Sequence, residues 1–186
     1  MKLYIKNMVC GRCEMAVKTE LEKLNITFSK MQLGEVTLDD KLEETKKIKL
    51  SENLKNLGFE LLDDKVSQTI ERIKNLIVDL VHYQEQKPKV NLSTYLVNEL
   101  QQDYSAISNL FSETEGITVE HYFIAQKIEK VKELLMYNEL SLSEIAFQLH
   151  YSTVAHLSNQ FKKTTGITPT QFKRSNEVKR KQIDTM

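Results

Sequence analysis

The stretch SLSEIAFQLHYSTVAHLSNQFKKTTGITPTQFKR, residues 141–174, decides the fold of the C-terminal half. Ser141 stands three residues before Glu144. At that spacing a hydroxyl and a carboxylate satisfy each other's backbone N–H groups, so a helix is predicted over 142–149. A turn at His150 and Tyr151 follows, and Ser152 is placed to cap a second helix. On that helix Val154, Leu157 and Phe161 share one face at helical spacing, as core residues do. The opposite face is left to Thr153, His156, Asn159, Gln160 and Lys163. Thr168 before Pro169 starts a further helix, because proline suits the first helical position. On it Phe172 points inward, while Lys173 and Arg174 point out.

The pattern recurs fifty residues upstream, and self-similarity of this kind identifies a structural repeat. Leu92-Ser93 matches Leu142-Ser143, Ser108-Asn109-x-Phe111 matches Ser158-Asn159-x-Phe161, and Thr114 matches Thr164. Gly116-Ile117-Thr118 matches Gly166-Ile167-Thr168, and Tyr122 stands where Phe172 does. Each copy reads as helix, turn, second helix and glycine stop, with Phe111 and Phe161 as core residues. Ile124, Ile128, Val131 and Leu135 mark one long helix joining the copies. Exposed Ser, Thr, Asn, Gln and His side chains on a second helix are the groups that read base edges in a major groove.

The formal charge is zero, but it is unevenly distributed. Residues 161–186 carry Lys162, Lys163, Lys173, Arg174, Lys179, Arg180 and Lys181 against Glu177 and Asp184. Residues 90–126 contain no Lys or Arg, but contain Glu99, Asp103, Glu113, Glu115 and Glu120. Contacts to a polyanion should therefore concentrate at the C-terminal end.

These residues resemble the DNA-binding domain of the AraC/XylS regulators over about 91–175. The resemblance rests on Ser141-Leu-Ser-Glu-Ile-Ala146 and on Phe161-Lys-Lys-x-x-Gly166-x-x-Pro169-x-x-Phe172-Lys-Arg174. It implies two recognition helices, over 104–111 and 152–161, entering major-groove segments of double-stranded DNA about 34 Å apart. Ser105, Ser108 and Asn109 would contact DNA from the first helix. Thr153, His156, Asn159 and Gln160 would do so from the second, with Lys162, Lys163, Lys173 and Arg174 on phosphates. RNA polymerase is a further partner such a regulator would meet. Two departures from the family pattern stand out. Ser112 and Glu113 replace residues that are commonly basic, and His150 occupies a turn usually held by glycine.

The N-terminal third alternates differently. Strands are predicted over 2–7, 26–32, 35–38 and 59–62, with helices over 14–24 and 42–57. That order, strand-helix-strand-strand-helix-strand, is the ferredoxin-like sandwich. The segment Met8-Val-Cys10-Gly-Arg-Cys13 falls between the first strand and the first helix and holds both cysteines of the chain. The two thiols share an exposed loop near a positive helix end, which favours thiolate. The pair reads as a ligand set or as a redox pair. A thioredoxin-like fold places a cis-proline beside such a pair, and the first 87 residues contain no proline. Two thiolates alone suit Cu(I) or another soft metal ion, whereas Zn²⁺ would want four ligands. Over about 1–63 the segment is similar to the heavy-metal-associated domain of copper chaperones and metal-transporting ATPases. There a Cys pair follows a Met as Cys10 follows Met8, and an aromatic like Phe59 packs beside the loop. Asn7 stands where a glycine is common.

A helix over 65–86 presents Val66, Ile70, Ile73, Ile77 and Leu80 as a stripe, either docked on its own chain or forming a homodimer. The fold class expected is an α+β ferredoxin-like domain (1–63), a connecting helix (64–89), an all-α double helix-turn-helix domain (90–176) and a basic tail (177–186). No stretch approaches the roughly 20 apolar residues of a membrane helix, and no signal-peptide core opens the chain, so a cytoplasmic location is expected. Phosphate-binding glycine loops and catalytic motifs are absent, which argues against an enzyme. The leading reading is a transcription regulator responsive to metal or thiol status at Cys10 and Cys13. A regulator whose small domain only docks a metallochaperone or another subunit is a second reading. A cytoplasmic metal carrier or buffer is a third.

Overall fold

The computed structural model describes residues 1–83 and 91–175, which fall into two compact units, Met1–Gly116 and Ile117–Met186. Lys179, Arg180, Lys181 and the expected continuation of the connecting helix over 84–86 lie outside the described residues.

The first unit opens with β1 (Lys2–Lys6), α1 (Gly11–Lys23), β2 (Phe28–Gln32), β3 (Glu35–Leu38), α2 (Glu44–Asn56) and β4 (Glu60–Leu61). The strands form one small sheet in the order β2-β3-β1-β4, and neighbours run antiparallel. Alternation sends Leu3 and Ile5 of β1 to one face. There they pack with Val36 and Leu38 of β3, Val17 and Leu21 of α1, and Leu50 and Leu54 of α2. The order of elements is the one read from the sequence, but four starts differ, that of β4 by one residue, at Glu60 rather than 59. Helix α1 begins at Gly11 rather than 14, because Glu14 N–H donates to Cys10 O at 3.1 Å and closes a helical turn around the cysteines. Strand β2 begins at Phe28 rather than 26, because Ile26 N–H is spent on Leu21 O at the end of α1. Helix α2 begins at Glu44, after Glu43 in extended conformation.

Helix α3 (Lys65–His82) is capped by Asp64, which accepts from Ser67 N–H. It lies against β1 and against α5 (Tyr104–Glu115). Ile70, Ile73, Ile77, Leu80 and Val81 are buried, and each such isoleucine contributes roughly 1.5–3 kcal/mol through burial. The apolar stripe considered for a homodimer is therefore covered by the chain itself. Only Val66, at 47% exposure, is left open from that set. Two polar side chains go under with the stripe, Glu71 and Asn75. Asn75 requires the glycine of the β2–β3 turn. A Cβ at Gly34, whose φ is +71°, would lie 1.9 Å from Asn75 Nδ2. Helix α4 (Leu92–Leu100) and α5 then complete this unit, so the first helical repeat belongs to the same body as the sheet.

The second unit contains α6 (Val119–Tyr137), α7 (Leu142–Gln148) and α8 (Val154–Thr165), with further helix over 169–175. Its core joins Ile128, Val131 and Leu135 of α6, Ile145 and Ala146 of α7, and Leu157 and Phe161 of α8. Among the described residues no helix is long and apolar enough to cross a membrane.

Candidate functional site

In the second repeat the predicted capping box is present. Ser141 N–H donates to Glu144 Oε2 at 2.7 Å, and Glu144 N–H donates to Ser141 Oγ at 3.3 Å. The Ser141 hydroxyl and backbone N–H hold the Glu144 carboxyl below its usual range. The chain leaves α7 through His150, which adopts φ 52°, a left-handed conformation that histidine tolerates better than most residues.

The next residue organises the turn. Tyr151 is buried, its ring lies under Lys127 Nζ at 3.7 Å, and its hydroxyl donates to Gln160 Oε1 at 2.7 Å. Burial pushes the phenol up to about 12, so it remains a donor at neutral pH. Gln160 is consequently half-buried, with its carbonyl oxygen engaged inside the protein. The N-cap of α8 is Thr153, not Ser152 as expected. Thr153 Oγ1 accepts from His156 N–H at 3.0 Å. Ser152 Oγ instead meets His156 Nδ1 at 3.1 Å. The imidazole also stands edge-on to Tyr151, with centroids 5.3 Å apart. His156 is thus exposed but held in place by its neighbours, which a solvated helix residue would not be. Asn159, Lys162 and Lys163 are exposed on the same helix. The two lysines occupy its last turn, where cations complement the helix dipole.

Thr168 and Gln171 form a second reciprocal cap, with Thr168 N–H donating to Gln171 Oε1 at 2.8 Å and Gln171 N–H to Thr168 Oγ1 at 3.2 Å. Phe172 packs on Phe161 with ring centroids 5.6 Å apart. Arg174 is exposed and Lys173 half-buried beside it.

The first repeat presents a less basic face. Ser105 and Asn109 are exposed on α5, Ser108 is half-buried, and Ile107 and Phe111 fill the core. Asp103 caps by position without a side-chain hydrogen bond. Glu115 is paired with Lys74 of α3 at 2.8 Å. Glu113, where the second repeat has Lys163, is exposed. The Lys74 pairing and the Tyr151–Gln160 bond escaped sequence reading, since neither has a spacing signature.

The cysteines lie elsewhere in the first unit. Cys10 is the N-cap of α1, and Cys13 sits in its first turn. Both are half-buried rather than on an exposed loop, and their sulfurs are 3.1 Å apart as free thiols. The Cys10 thiol is lowered by hydrogen bonding to the Cys13 side chain, then by the Cys13 and Arg12 backbone, with the Arg12 charge adding. Met8 is fully buried in the core, so its thioether faces away from solvent. Phe59 is buried in the same cluster. Asn7 adopts φ 69°, a left-handed conformation Asn accepts in place of glycine, and its Nδ2 donates to Gly58 O at 3.0 Å. Among the described residues no three His, Cys, Asp or Glu side chains converge as a metal-binding group.

Residues 96–175 match the family model described as a helix-turn-helix domain. The C-terminal part of the chain is a helix-turn-helix domain of AraC type. Over 113 residues the chain is 30% identical to an uncharacterized HTH-type transcriptional regulator of Staphylococcus aureus, covering 61% of this chain and 14% of that protein. Over 140 residues it is 26% identical to the uncharacterized HTH-type transcriptional regulator YtdP of Bacillus subtilis, covering 73% of this chain and 18% of that one. Among solved structures, the C-terminal domain of AraT, a response regulator from Geobacillus stearothermophilus, superposes with TM-score 0.51 at 27% identity. That match covers 60% of this chain and 88% of AraT's domain. The chain thus spans less than a fifth of the length of these two curated relatives. In this AraC-type domain α5 and α8 are the second helices of the two repeats.

Proposed function

We propose that the chain is a sequence-specific, non-enzymatic transcription regulator whose AraC-type domain binds double-stranded DNA through α5 and α8. The observation that carries this reading is the outer face of α8. His156 and Asn159 stand there as exposed base-reading groups, with Lys162 and Lys163 beside them for phosphates. His156 is pre-positioned by Ser152 and Tyr151, which lowers the ordering cost of a contact. Gln160 ranks lower as a reader, because its oxygen already serves Tyr151. Ser105, Ser108 and Asn109 provide the corresponding face of α5. With Ser112 and Glu113 in place of cations, that helix reads DNA but adds little electrostatic affinity.

For residues 1–63 we propose a ferredoxin-like, heavy-metal-associated type of domain whose Cys10 and Cys13 bind one soft cation, Cu(I) foremost. The residues fit such an ion. Two sulfurs are 3.1 Å apart at a helix N-terminus, one thiol is already acidified, and among the described residues no third ligand converges. Signalling from the pair is supported by α3. Glu71 Oε1 accepts from Asn7 N–H at 3.0 Å and Tyr83 Oη donates to Val9 O at 3.0 Å, on either side of Met8 in the segment leading to Cys10. The same helix holds Glu115 at the end of α5 through Lys74. A shift of the thiol segment therefore has a packed route to the first reader helix.

The test is a selection of genomic fragments bound by the protein as reduced apo form, as Cu(I)-loaded form, and as the Cys10→Ser/Cys13→Ser variant. A metal-responsive regulator enriches one operator with different affinity in the first two, and the variant shows a single behaviour. Equal affinity in all three would leave a regulator whose small domain serves docking. Without an enriched operator, the carrier or buffer reading takes over, since a regulator favours its site by about a thousandfold or more.

A further inference from the structure

We propose that the cleft between the β2–β3 turn, α3 and α4 in the first unit is a binding site for a small organic cation bearing ammonium or guanidinium groups. The cleft encloses about 320 Å³, within the size range of small-molecule sites. Its lining includes Glu35, Arg72, Asn75, Leu76, Asp79 and Glu99.

Two buried acceptors define what it lacks. Asn75 is 5% exposed, and its Oδ1 has no hydrogen-bond partner. The Glu35 side chain is equally buried. Its Oε1 takes Lys2 Nζ at 2.6 Å, but its Oε2 has no hydrogen-bond partner, the nearest cation being Arg72 Nε at 3.8 Å. Buried oxygens left in this state are costly, and a native fold normally satisfies them. Both are acceptors, so the missing group is a donor.

The sign of its charge follows from the lining. Two carboxylates of the lining, Glu35 and Glu99, stand against the guanidinium of Arg72, with Lys2 reaching Glu35 from outside the cleft. Arg72 is directed at Glu35 and at the Glu99 backbone carbonyl, 3.4 Å from Nη2. An anion would meet the buried carboxylate. An inorganic cation is disfavoured because, among the described residues, no three His, Cys, Asp or Glu side chains come close enough to ligate one ion. A molecule with N–H donors on a short hydrocarbon body satisfies the oxygens and rests its carbons on Leu76. Such an occupant touches β3, α3 and α4 at once, and α4 is the first helix of the first repeat. The site stands independently of whether the chain binds DNA.

The experiment is titration calorimetry of the full chain with putrescine and agmatine, with succinate and 1,4-butanediol as controls of matched length. Expected is binding of at least one cation tighter than about 1 mM, with neither control binding. Asn75→Leu, which removes the acceptor without changing charge, should weaken binding about tenfold or more. Glu99→Gln, an exposed change on α4 that leaves the core untouched, should weaken it severalfold and keeps the test decisive if Asn75→Leu fails to fold. Absence of cation binding, equal binding of succinate, or unaltered binding by folded Asn75→Leu or by Glu99→Gln would overturn the proposal.

Discussion

Comparing Lys163→Ala with Asn159→Ala separates the two kinds of contact that α8 is proposed to make. Lys162, Lys163, Lys173 and Arg174 are the cations gathered on this side of the second repeat. If each neutralises one phosphate, they contribute about −3.6 to the slope of log affinity against log salt, at about 0.9 per phosphate. Between 50 and 200 mM salt that share alone weakens binding about 150-fold. Removing Lys163 lowers the slope by about 0.9 and the salt-dependent loss to about 40-fold, for operator and random DNA alike. Asn159→Ala should leave the slope unchanged, cost about 1–3 kcal/mol on the operator, and relax preference at one base position. Fluorescence anisotropy with labelled duplexes across a salt series measures both. An unchanged slope for Lys163→Ala, or an affinity loss for Asn159→Ala that is equal on operator and random DNA, would refute the assignment of α8.

Three further outcomes follow from the geometry. Thr153→Ala removes the N-cap of α8 and should cost about 1 kcal/mol in chemical denaturation, while Ser152→Ala costs less, because Ser152 does not cap. Burial raises the Glu71 carboxyl above its ordinary value, so the fold binds that proton more tightly than the unfolded chain does. Its contribution is present below the ordinary glutamate pKa and is lost as pH rises through the raised one. Glu71→Gln should therefore flatten the decline in stability as pH rises above the ordinary glutamate range in urea melts, and a steeper decline would contradict the burial argument. Cys13→Ser weakens the interaction that chiefly acidifies Cys10, so the alkylation of Cys10 should shift to higher pH. An unshifted profile would mean that the Arg12 charge and the backbone dominate.

Much of the fold was legible because its signals are short-range. The caps at Asn91, Asp103 and Thr118 recur at Ser141, Thr153 and Thr168, fifty residues later, and the core phenylalanines keep the same register. The interhelix turn does not keep it. The left-handed residue is Gln101 in the first repeat and His150 in the second, because α4 runs nine residues and α7 only seven. Choosing between adjacent hydroxyls at 152 and 153 was beyond pattern reading, since both satisfy the same rule and only the path of the chain into α8 selects Thr153.

The amino-acid sequence by itself determined the capping box of Ser141 and Glu144, the strand alternation, the fifty-residue repeat and the pairing of Cys10 with Cys13 at the start of a helix. Each depends on residues a few positions apart, whose hydrogen bonds and periodic burial are written locally. Only the tertiary structure decided that α3 spends its apolar stripe on its own chain, that Lys74 neutralises Glu115, and that Tyr151 occupies Gln160 while fixing His156. It also decided that the thiols are half-buried and that Glu35 and Asn75 meet at one cleft. These outcomes turn on burial and on side chains brought together by packing, and neither quantity is set by the spacing of residues along the chain.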